Sequence, residues 1–458
     1  MPHSLFVRRL IGGCSITTFL VVSAGAAGGQ PPPPRAAAAP APAAVAPAAP
    51  AAPVGVDEFV RFAVARNPRL GRATLSVDSA RGRYVQAGLY PNPVLAVMDD
   101  ELGDRTGPGG IVSAQISQDI VRGGKLRLSQ AVAAREIDQA ALAILTERYA
   151  VVGTVRSNFY EVFALQRRAA ILAEVVELAG QAAAQGQKSF EAKQVARLDV
   201  ITLELELERF RAEAESVALE LPAAYRRLAA AAGDPRLAVH PLAASLDAPL
   251  PEYDADRTRE TVLAVHPEVR AAKVGVERAQ AVARRAEVEA VPNVTVTTGY
   301  VRQFENRSND LRVGVSLPLP TFNRNQGNIR AARADVGVAY QDVARAENDL
   351  AERLAVTFRT YESSRRRAER YRTSILPRAE ETYRLALEGF KGGQFEYLRV
   401  LQAQRAVAEA RLESNRALGE AWRAAGEISG FLLEEVWPPV APTAAAVPAA
   451  PQPARPGP

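Results

Sequence analysis

The sequence is poor in the side chains that most often carry out chemistry. Its 458 residues include one cysteine, Cys14, and three histidines, His3, His240 and His266. A single cysteine excludes a disulfide within the chain and a metal centre built from several cysteines. His240 and His266 each precede a proline in a turn-like context, so they do not form the helix-borne pair of a zinc protease. We therefore predict no metal site.

Catalytic and nucleic-acid-binding motifs are missing as well. We find no phosphate-cradling glycine loop and no Ser/His/Asp set in a suitable context, so we predict a protein that is not an enzyme and needs no cofactor. The net charge is only +5, and basic residues such as Arg365–Arg367 are interspersed with acidic ones such as Glu362 and Glu369. Nucleic acid is not an expected partner, because its binding favours a basic block with aromatics nearby.

Aromatic residues and long apolar runs are scarce, whereas alanine is abundant. Aromatics make up 6% of the chain, although 48% of it is hydrophobic. After the N-terminal segment, no stretch approaches the roughly 18 apolar residues that a membrane-spanning helix needs. A composition rich in alanine and charge favours long helices packed side by side over a thick globular core.

The first residues have the pattern of a secretion signal. Arg8 and Arg9 precede an apolar run, and Ala24–Ala26 resembles a cleavage site. This pattern predicts a signal peptide over residues 1–26. The alternative is a lipid-anchored Cys14, although most of the apolar run follows that cysteine rather than preceding it.

The rest of the chain is predicted to contain two repeats of one pattern, each with a turn, strands, a helix, a glycine break and a second helix. Pro/Ala-rich segments flank them, and such composition is typical of extended or disordered chain. The predicted segments are a linker over 27–55, a first repeat over 56–233, a linker over 234–257, a second repeat over 258–437 and a disordered tail over 438–458.

Each repeat contains a long proline-poor stretch with helical periodicity. In the first repeat Val155, Phe159 and Val162 recur at three- and four-residue steps, as on one face of a helix. Helices of roughly 50 to 60 residues rise about 80 to 90 Å, a length that suits a coiled or tubular assembly. A glycine-containing segment is expected to break each helix, at 186–190 and at 389–393.

Two strand-like runs follow a Pro-Asn turn in each repeat. Apolar and polar residues alternate along them, as in a membrane strand with one face in lipid and the other in a lumen. The predicted lipid-facing residues are Val112, Ala114, Ile116, Val294, Val296, Val313 and Val315. A soluble hairpin with one solvated face shows the same alternation. If the strands span a membrane, several chains must complete one ring, because open strand edges are not tolerated in lipid.

Four segments resemble the TolC-type outer-membrane factors, and in particular the branch that serves heavy-metal efflux pumps (CzcC-like). The segments are Tyr90–Pro93, Ile116–Lys125, Val315–Gly327 and Gly393–Gln404. The resemblance covers the chain from about residue 56 to residue 431. Its most specific part is the Pro-Leu-Pro-Thr-Phe-Asn-Arg-Asn-Gln-Gly run, which looks like the junction where a barrel strand turns into a tunnel helix.

The resemblance implies a mainly α fold with a small β part, in a homotrimer of the outer membrane. Each chain would give four strands to a 12-stranded membrane β-barrel and long helical hairpins to a periplasmic α-barrel. The expected partners are outer-membrane lipid, a periplasmic adaptor (a membrane fusion protein) and an inner-membrane RND-type pump. The channel would be a passive exit duct for metal ions or small toxic compounds.

The resemblance also implies a periplasmic gate. The family carries acidic residues just after the glycine-containing turn of the second hairpin, and the matching positions here are Arg399 and Gln402, which depart from that pattern. The equivalent position of the first hairpin is Asp199. An Asp199–Arg399 ion pair between neighbouring hairpins is a candidate for holding the gate closed. The alternative is that both are solvated charges worth under about 1 kcal/mol each.

Two other functions share part of the pattern. A periplasmic coiled-coil adaptor or scaffold would have the helices and the signal, but not two matched pairs of amphipathic strands. An exit duct for type I protein secretion would have the same channel with a polypeptide as its cargo. The acidic run Asp99–Glu101 beside the first strand is expected in an extracellular loop or at the lumen rim, since a metal site needs further convergent ligands.

Overall fold

The structure is a computed structural model that describes residues 54–100, 110–237 and 242–437. The predicted signal peptide with Cys14, nearly all of the first Pro/Ala-rich segment, all of the second, and Glu101 lie outside the described residues.

The order helix, helix, strand, strand, long helix, helix occurs twice along the chain. The first set is α1 (Val56–Arg66), α2 (Pro68–Gly88), β1 (Val94–Asp100), β2 (Ile111–Ile120), α3 (Lys125–Glu191) and α4 (Arg197–Ala232). The second set is α5 (Ala255–Val265), α6 (Pro267–Val288), β3 (Val294–Gln303), β4 (Asn309–Ser316), α7 (Gln326–Arg370), α8 (Leu376–Lys391) and α9 (Tyr397–Phe431). The predicted mainly α fold with a small β part is confirmed, while the internal sequence repeat stays a prediction.

The second helix of each set begins at the X-Pro pair noted in the sequence. Asn67 accepts a hydrogen bond from the backbone N–H of Arg69 through its side chain, at 2.9 Å. His266 caps α6 in the same way, because its Nδ1 accepts from the N–H of Glu268 at 3.3 Å. Burial lowers the pKa of His266, which favours the neutral ring that can accept this bond. The histidine is thus a helix cap.

The long helices exceed the predicted length. Helix α3 has 67 residues and therefore rises about 100 Å. A π-helical turn at Tyr371–Ile375 joins α7 to α8, so one helical run extends from residue 326 to residue 391. Pro377 is the second residue after this turn, and the wider turn makes room for the proline ring, whose nitrogen cannot donate a helical hydrogen bond. Within the described ranges, no helix is long and apolar enough to cross a membrane.

The four strands form one antiparallel sheet in the order β1-β2-β3-β4. Strands β2 and β3 pair over their full length, from Ile111 opposite Gln303 to Ile120 opposite Val294. This central pairing joins the two halves of the chain. Strands β1 and β4 are the edges of the sheet, and each has one side with no partner strand among the described residues.

Helix α3 is the neighbour of most other helices. Near the sheet the helices pack in the order α2, α3, α6, α7, and away from it in the order α4, α3, α9 and the α7–α8 run. Helices α4 and α9 are the return arms of two hairpins, and their turns at 192–196 and 392–396 form the end of the molecule farthest from the sheet along α3. We call these two turns the tips.

The main hydrophobic core lies near the middle of α3, a level that we call mid-height. There α1, α5, the end of α4 and the segment after α4 meet α3, α7 and α9. The rings of Tyr160 and Trp422 stack at 4.8 Å between centroids. The indole N–H of Trp422 donates to the carbonyl oxygen of Leu246 at 3.0 Å, and the Tyr361 hydroxyl donates to that of Pro251. The segment predicted as a linker over 234–257 is therefore packed into this core in its described part.

Helices α3 and α9 approach closely beside this core. A Cβ atom added at Gly430 would lie 3.2 Å from the Cα of Gly153, and one added at Gly153 would lie 3.6 Å from the Cα of Gly430. Two facing glycines allow this backbone contact, since larger side chains would push the helices apart. A third glycine, Gly426, faces the backbone of Arg156 one turn away.

Arg156 fills the space next to this contact and is only 1% exposed. Its guanidinium donates to Ser429 Oγ at 2.9 Å and to the carbonyl oxygens of Glu434 and Glu435 at 2.9 and 3.2 Å. The group also lies 5.4 Å from the centre of the Trp437 ring. Burial lowers the pKa of Arg156, and the negative charge of Glu434 acts in the opposite direction. Arg156 thus ties the segment after α9 to α3.

We expect Arg156→Met to lower the free energy of unfolding by roughly 2 to 4 kcal/mol, because a buried charged donor is removed and its acceptors stay buried. Arg148→Met is the matched control. Arg148 also pairs with this segment, through Glu435 at 3.4 Å, but it is partly exposed, so its loss should amount to under about 1 kcal/mol. Thermal denaturation followed by circular dichroism in detergent compares the two, and equal shifts would contradict the anchoring role.

Candidate functional site

The sheet has one largely apolar face. Paired residues of neighbouring strands point to the same side, and the register aligns Leu95, Ile116, Thr298 and Val313 in one row across all four strands. The next row contains Val97, Ala114, Tyr300 and Leu311. We call the side on which these two rows lie the apolar face of the sheet.

All seven residues predicted to face lipid lie on the apolar face, by this register. Ala114, Ile116, Val313 and Val315 are exposed. The remaining three, Val112, Val294 and Val296, are half-buried. Val112 shares its row with Asp99 and Arg302, so the apolar face ends there in charged residues.

Sequence reasoning missed the contribution of β1 to this face. Leu95 and Val97 are each 68% exposed and lie beside Ile116 and Ala114. Strand β1 has only seven residues, and the two acidic residues at its end shorten the alternation of side chains by which a two-faced strand is recognised in a sequence. Asp99 and Asp100 lie at that end of the strand, next to the segment outside the described residues.

The opposite face is mainly polar. Strands β2 and β3 present Ser113, Gln115 and Ser117 beside Val301, Gly299 and Thr297. Strand β4 adds Arg312 and Ser316 on the same side. The sheet thus separates an apolar surface from a polar one, as required of a wall between lipid and water.

The turn from β2 into α3 is fastened to the turn from α6 into β3. Gly123 and Gly124 both adopt left-handed backbone angles, with φ of 70° and 68°. The buried Lys125 ammonium then donates to Asn293 Oδ1 at 3.1 Å and lies 3.4 Å from Glu289 Oε1. Burial acts to raise the pKa of Glu289, but hydrogen bonds and charges from Arg285 and Lys125 outweigh it and keep this pKa low.

In the turn from β4 into α7, an asparagine adopts the left-handed backbone conformation that glycine adopts in the turn from β2 into α3. Asn325 has a φ of 62° and donates from its side chain to the carbonyl oxygen of Ala286 at 2.8 Å. Asn323 Oδ1 accepts from the N–H of Asn325 at 3.0 Å. The Pro-Leu-Pro-Thr-Phe-Asn-Arg-Asn-Gln-Gly run therefore redirects the chain from the sheet into a long helix and anchors it on α6.

The two tips have the same backbone hydrogen bonds. In the first, the N–H groups of Lys193 and Gln194 donate to Phe190 and Ser189, both at 2.8 Å. In the second, Gly393 and its successor donate to Phe390 and Gly389, at 3.0 and 2.8 Å. This is the Schellman motif, and the left-handed residue that it requires is Lys193 in one tip and Gly393 in the other.

The predicted glycine breaks are wrong for the first hairpin and early for the second. Helix α3 continues through Gly186 to Glu191, and α8 continues through Gly389 to Lys391. The two glycines instead make room for packing. A Cβ atom at Gly186 would lie 2.4 Å from Leu203 Cδ1, and one at Gly389 would lie 2.3 Å from the ring of Phe395.

Asp199 and Arg399 occupy the third position of α4 and of α9, so they follow equivalent turns. Asp199 Oδ2 accepts from the N–H of Ala196 at 3.0 Å and thereby caps its own helix. The Arg399 guanidinium lies 4.9 Å from the centre of the Phe395 ring. Among the ion pairs of the described residues there is none between Asp199 and Arg399. Gln402 lies one turn after Arg399, and both are exposed.

The described residues contain no group of three or more His, Cys, Asp or Glu side chains that could hold a metal ion. The charged residues instead form pairs between neighbouring helices, such as Arg69 with Glu147 at 2.9 Å and Arg83 with Glu136 at 2.9 Å. The features that can serve a function are therefore the two-sided sheet and the exposed tips.

Comparison with known proteins points to one family. The model of the outer membrane efflux protein family matches residues 258–429. The chain is also 28% identical over 390 residues to the cobalt-zinc-cadmium resistance protein CzcC of Cupriavidus metallidurans. That similarity covers 85% of this chain and 92% of the relative.

Solved outer-membrane proteins have the same fold. The outer membrane protein VceC of Vibrio cholerae aligns with a TM-score of 0.68 at 16% identity, over 82% of this chain and 95% of that one. CusC aligns with a TM-score of 0.68 at 20% identity, over 82% and 91%. The outer-membrane channel OprN aligns with a TM-score of 0.69 at 17% identity, over 82% and 89%.

The family match lies in the second half, whereas the similarity to CzcC and the shared fold extend over both halves. These findings agree with the two-sided sheet, the long helical hairpins and the sequence resemblance. Together these similarities identify the chain as an efflux channel subunit of the cell outer membrane that resembles the TolC-type outer-membrane factors.

Proposed function

We propose that three copies of this subunit form the exit duct of a tripartite efflux system, joined by a periplasmic adaptor to an inner-membrane pump of the RND type. The observation that carries the proposal is the sheet with one apolar face, one polar face and two open edges. A single sheet of this kind is unsuited to lipid, since its edge N–H and C=O groups have no partners there.

Copies of the chain can satisfy these edges. Strands β1 and β4 lie at opposite ends of an antiparallel order, so β4 of one copy can pair with β1 of the next in the same antiparallel manner. Closing the ring places all apolar faces outward and all polar faces around a lumen. The helices below the sheet follow the same order and continue the wall as a tunnel.

The duct is passive in this proposal. Transport energy comes from the inner-membrane partner, and the subunit contributes a continuous path and a gate. A soluble adaptor is the poorer alternative, because it gives no role to the apolar face of the sheet. A duct for polypeptide secretion would have the same structure, so only the cargo would distinguish that function from efflux.

We propose divalent metal cations as the cargo, on the basis of the similarity to CzcC, a protein named for resistance to cobalt, zinc and cadmium. A duct needs no coordinating side chains of its own for this task. Cells of the source organism that lack the protein should accumulate zinc, cobalt or cadmium and stop growing at lower metal concentrations than wild type.

The measurement is cellular metal content by mass spectrometry after a metal pulse, with the wild-type gene restored as control. Export of a small organic toxicant is followed in parallel. Unchanged metal content together with increased retention of the organic compound would assign the duct to another cargo. Unchanged export of both would contradict the proposed duct.

The proposed lipid-facing role predicts position-dependent effects in the sheet. Val296→Arg and Val313→Arg should impair assembly, by about 2 to 4 kcal/mol for positions near the bilayer midplane. Thr297→Arg is the control, because residue 297 lies on the polar face in the same strand as Val296. The amount of trimer in the outer-membrane fraction reports the effect, and equal yields of all three variants would refute the assignment of faces.

The proposed gate predicts changes in conductance. Symmetry would place Asp199, Arg399 and Gln402 three times around the narrow end, where Asp199 of one hairpin would face Arg399 of a neighbouring hairpin. Arg399→Glu would then put a second negative charge beside Asp199. The repulsion between the two carboxylates should loosen the narrow end and give a higher single-channel conductance in a planar bilayer. The double variant D199R/R399E should return towards wild type.

Arg197→Glu is the control for the gate, since it makes the same charge change on an exposed residue that directly follows the other tip. Its conductance should stay near that of wild type. A wild-type conductance for R399E would mean that Asp199 and Arg399 are ordinary solvated charges.

A further inference from the structure

We infer that the chain carries a binding surface for the headgroups of anionic phospholipids at the level where the sheet meets the helices. The surface lies at the end of the sheet that leads into α3 and α7, beside the edge of the apolar face. The inference rests on the proposed lipid-facing role of that face. It adds the class of lipid that the chain selects and the residues that select it.

Basic residues are concentrated at this end of the sheet. The ten residues that adjoin this end of each strand form four segments, which we call the collar: 84–93, 121–130, 284–293 and 317–326. They contain six basic and two acidic residues, a net charge of +4, whereas the whole chain of 458 residues has a net charge of +5. The connections at the other end of the sheet, 101–110 and 304–308, contain three acidic and two basic residues. The positive charge is therefore specific to the collar.

Most of the positive charge of the collar has no partner within the chain. Lys125 and Arg285 both pair with Glu289. The other four basic residues are exposed, and within the described ranges they form no ion pair. They are Arg122, Arg127, Arg284 and Arg324. A guanidinium can bind phosphate through two parallel hydrogen bonds, so these arginines favour a phosphate-bearing ligand.

An exposed apolar strip continues from β4 into the collar. Leu317 and Leu319 each precede a proline, which keeps their backbone extended. They continue the alternate positions of Val313 and Val315 past the end of the strand, and all four side chains are exposed. Phe322 follows in the same turn and is 92% exposed. A strip of this kind is suited to the acyl chains that lie directly below a lipid headgroup.

Arg324 lies next to this strip. Its Nε donates to the carbonyl oxygen of Pro320 at 3.4 Å, so the side chain folds back towards the residue that follows Leu319. Asn325 fixes the turn, because its side chain is bonded to α6. The turn thus presents apolar side chains and a cation side by side on a fixed backbone. A phospholipid offers acyl chains and a phosphate in the same order.

The end of β2 combines the same kinds of group. Ile120 lies in the last paired row of the apolar face and is 44% exposed, and Arg122 follows two residues later. The side chain of Gln118 donates to the carbonyl oxygen of Pro91 at 2.9 Å, which brings the segment before β1 beside the end of β2. Tyr90 in that segment is 63% exposed. Tyrosine is enriched at the headgroup level of membranes.

The net charge decides between the classes of lipid. A zwitterionic headgroup carries a cation beside its phosphate, so a positive surface gains little from it, whereas an anionic headgroup is attracted as a whole. The alternative is a collar that faces the lumen. A basic lumen would oppose the metal cations proposed as cargo, and it would give no role to the exposed ring of Phe322.

Lipid selection can be measured on the intact trimer. The full chain is inserted into vesicles made of equal amounts of phosphatidylglycerol, which is anionic, and phosphatidylcholine, which is zwitterionic. After extraction in mild detergent, mass spectrometry counts the lipids that stay bound. Phosphatidylglycerol should be enriched several-fold, and high salt should reduce the enrichment because it screens the charges. Equal amounts of the two bound lipids would overturn the inference.

A pair of double variants tests the arginines. R122Q/R324Q should lose most of the enrichment, because it removes the cations beside the two apolar sites. R257Q/R259Q is the matched control, since it removes two exposed arginines of α5, at mid-height, that form no ion pair with any described residue. The control should bind lipid like the wild type. An equal loss in both variants, or no loss in R122Q/R324Q, would overturn the assignment.

Fluorescence tests which side of the wall the collar faces. Both native tryptophans, Trp422 and Trp437, are buried in the mid-height core, so the indole introduced by Phe322→Trp can be followed separately. Phospholipid with brominated acyl chains should quench that indole. Thr297→Trp, on the polar face of the sheet, is the control and should be quenched only by dissolved iodide. Quenching of F322W by iodide alone would place the turn in the lumen and overturn the inference.

The outcomes separate the inference from the proposed function. Trimers that insert into the vesicles but bind both lipids equally would overturn the inference alone. Failure of the unmodified protein to insert as a trimer into vesicles of either lipid would contradict the proposed duct and this inference with it.

Discussion

The close contact of α3 with α9 at Gly153 and Gly430 is the constraint on which the rest of the structure depends. Without side chains there, the two backbones come within ordinary van der Waals distance, and Arg156 can reach the segment that follows α9. Burying a guanidinium is costly unless hydrogen bonds compensate for the lost water, and here two carbonyl oxygens and a serine hydroxyl accept from the two terminal nitrogens of Arg156, while its Nε has no partner among the described residues. The contact fixes the first half of the chain against the second at mid-height.

The two halves extend from this fixed level in both directions. Above it, β2 pairs with β3 and makes one sheet from two strand pairs. Below it, α3 and α9 hold the two hairpins next to each other, and the tips repeat one backbone turn with different side chains. The same capping position carries Asp199 in one tip and Arg399 in the other, so a shared scaffold presents opposite charges.

Much of this organisation could be predicted from the sequence, because alternation and helical periodicity report directly on which face of an element is apolar. The rows of β2, β3 and β4 and the paired X-Pro helix starts are examples. The exact helix ends could not be predicted. Gly186 and Gly389 suggested breaks, but a glycine inside a helix equally permits close packing, and only the position of Leu203 or Phe395 distinguishes the two.

Other features depend on residues far apart in the sequence and leave no periodic pattern. The first tip turns at Lys193, a residue type that does not indicate a left-handed turn, and its hydrogen bonds define the turn instead. The packing of Leu246 under Trp422 shows the same limit, because a short apolar segment between helices looks like a connector. Asp199 and Arg399 each stand third in the helix that follows a tip, while their roles at a gate stay predictions.

The bond between Arg156 and Ser429 has a consequence for how the chain folds. The two residues are 273 positions apart, whereas each hairpin and each outer strand pair closes over a short loop. Local pieces of the molecule can therefore form early, since closing a short loop loses little chain entropy. The mid-height contact has to wait until nearly all of the folded region has been synthesised. In a subunit whose folding stops before that point, the hairpins would be formed but the two halves would not yet be in contact at mid-height. The core around Trp422 would then still be exposed to water.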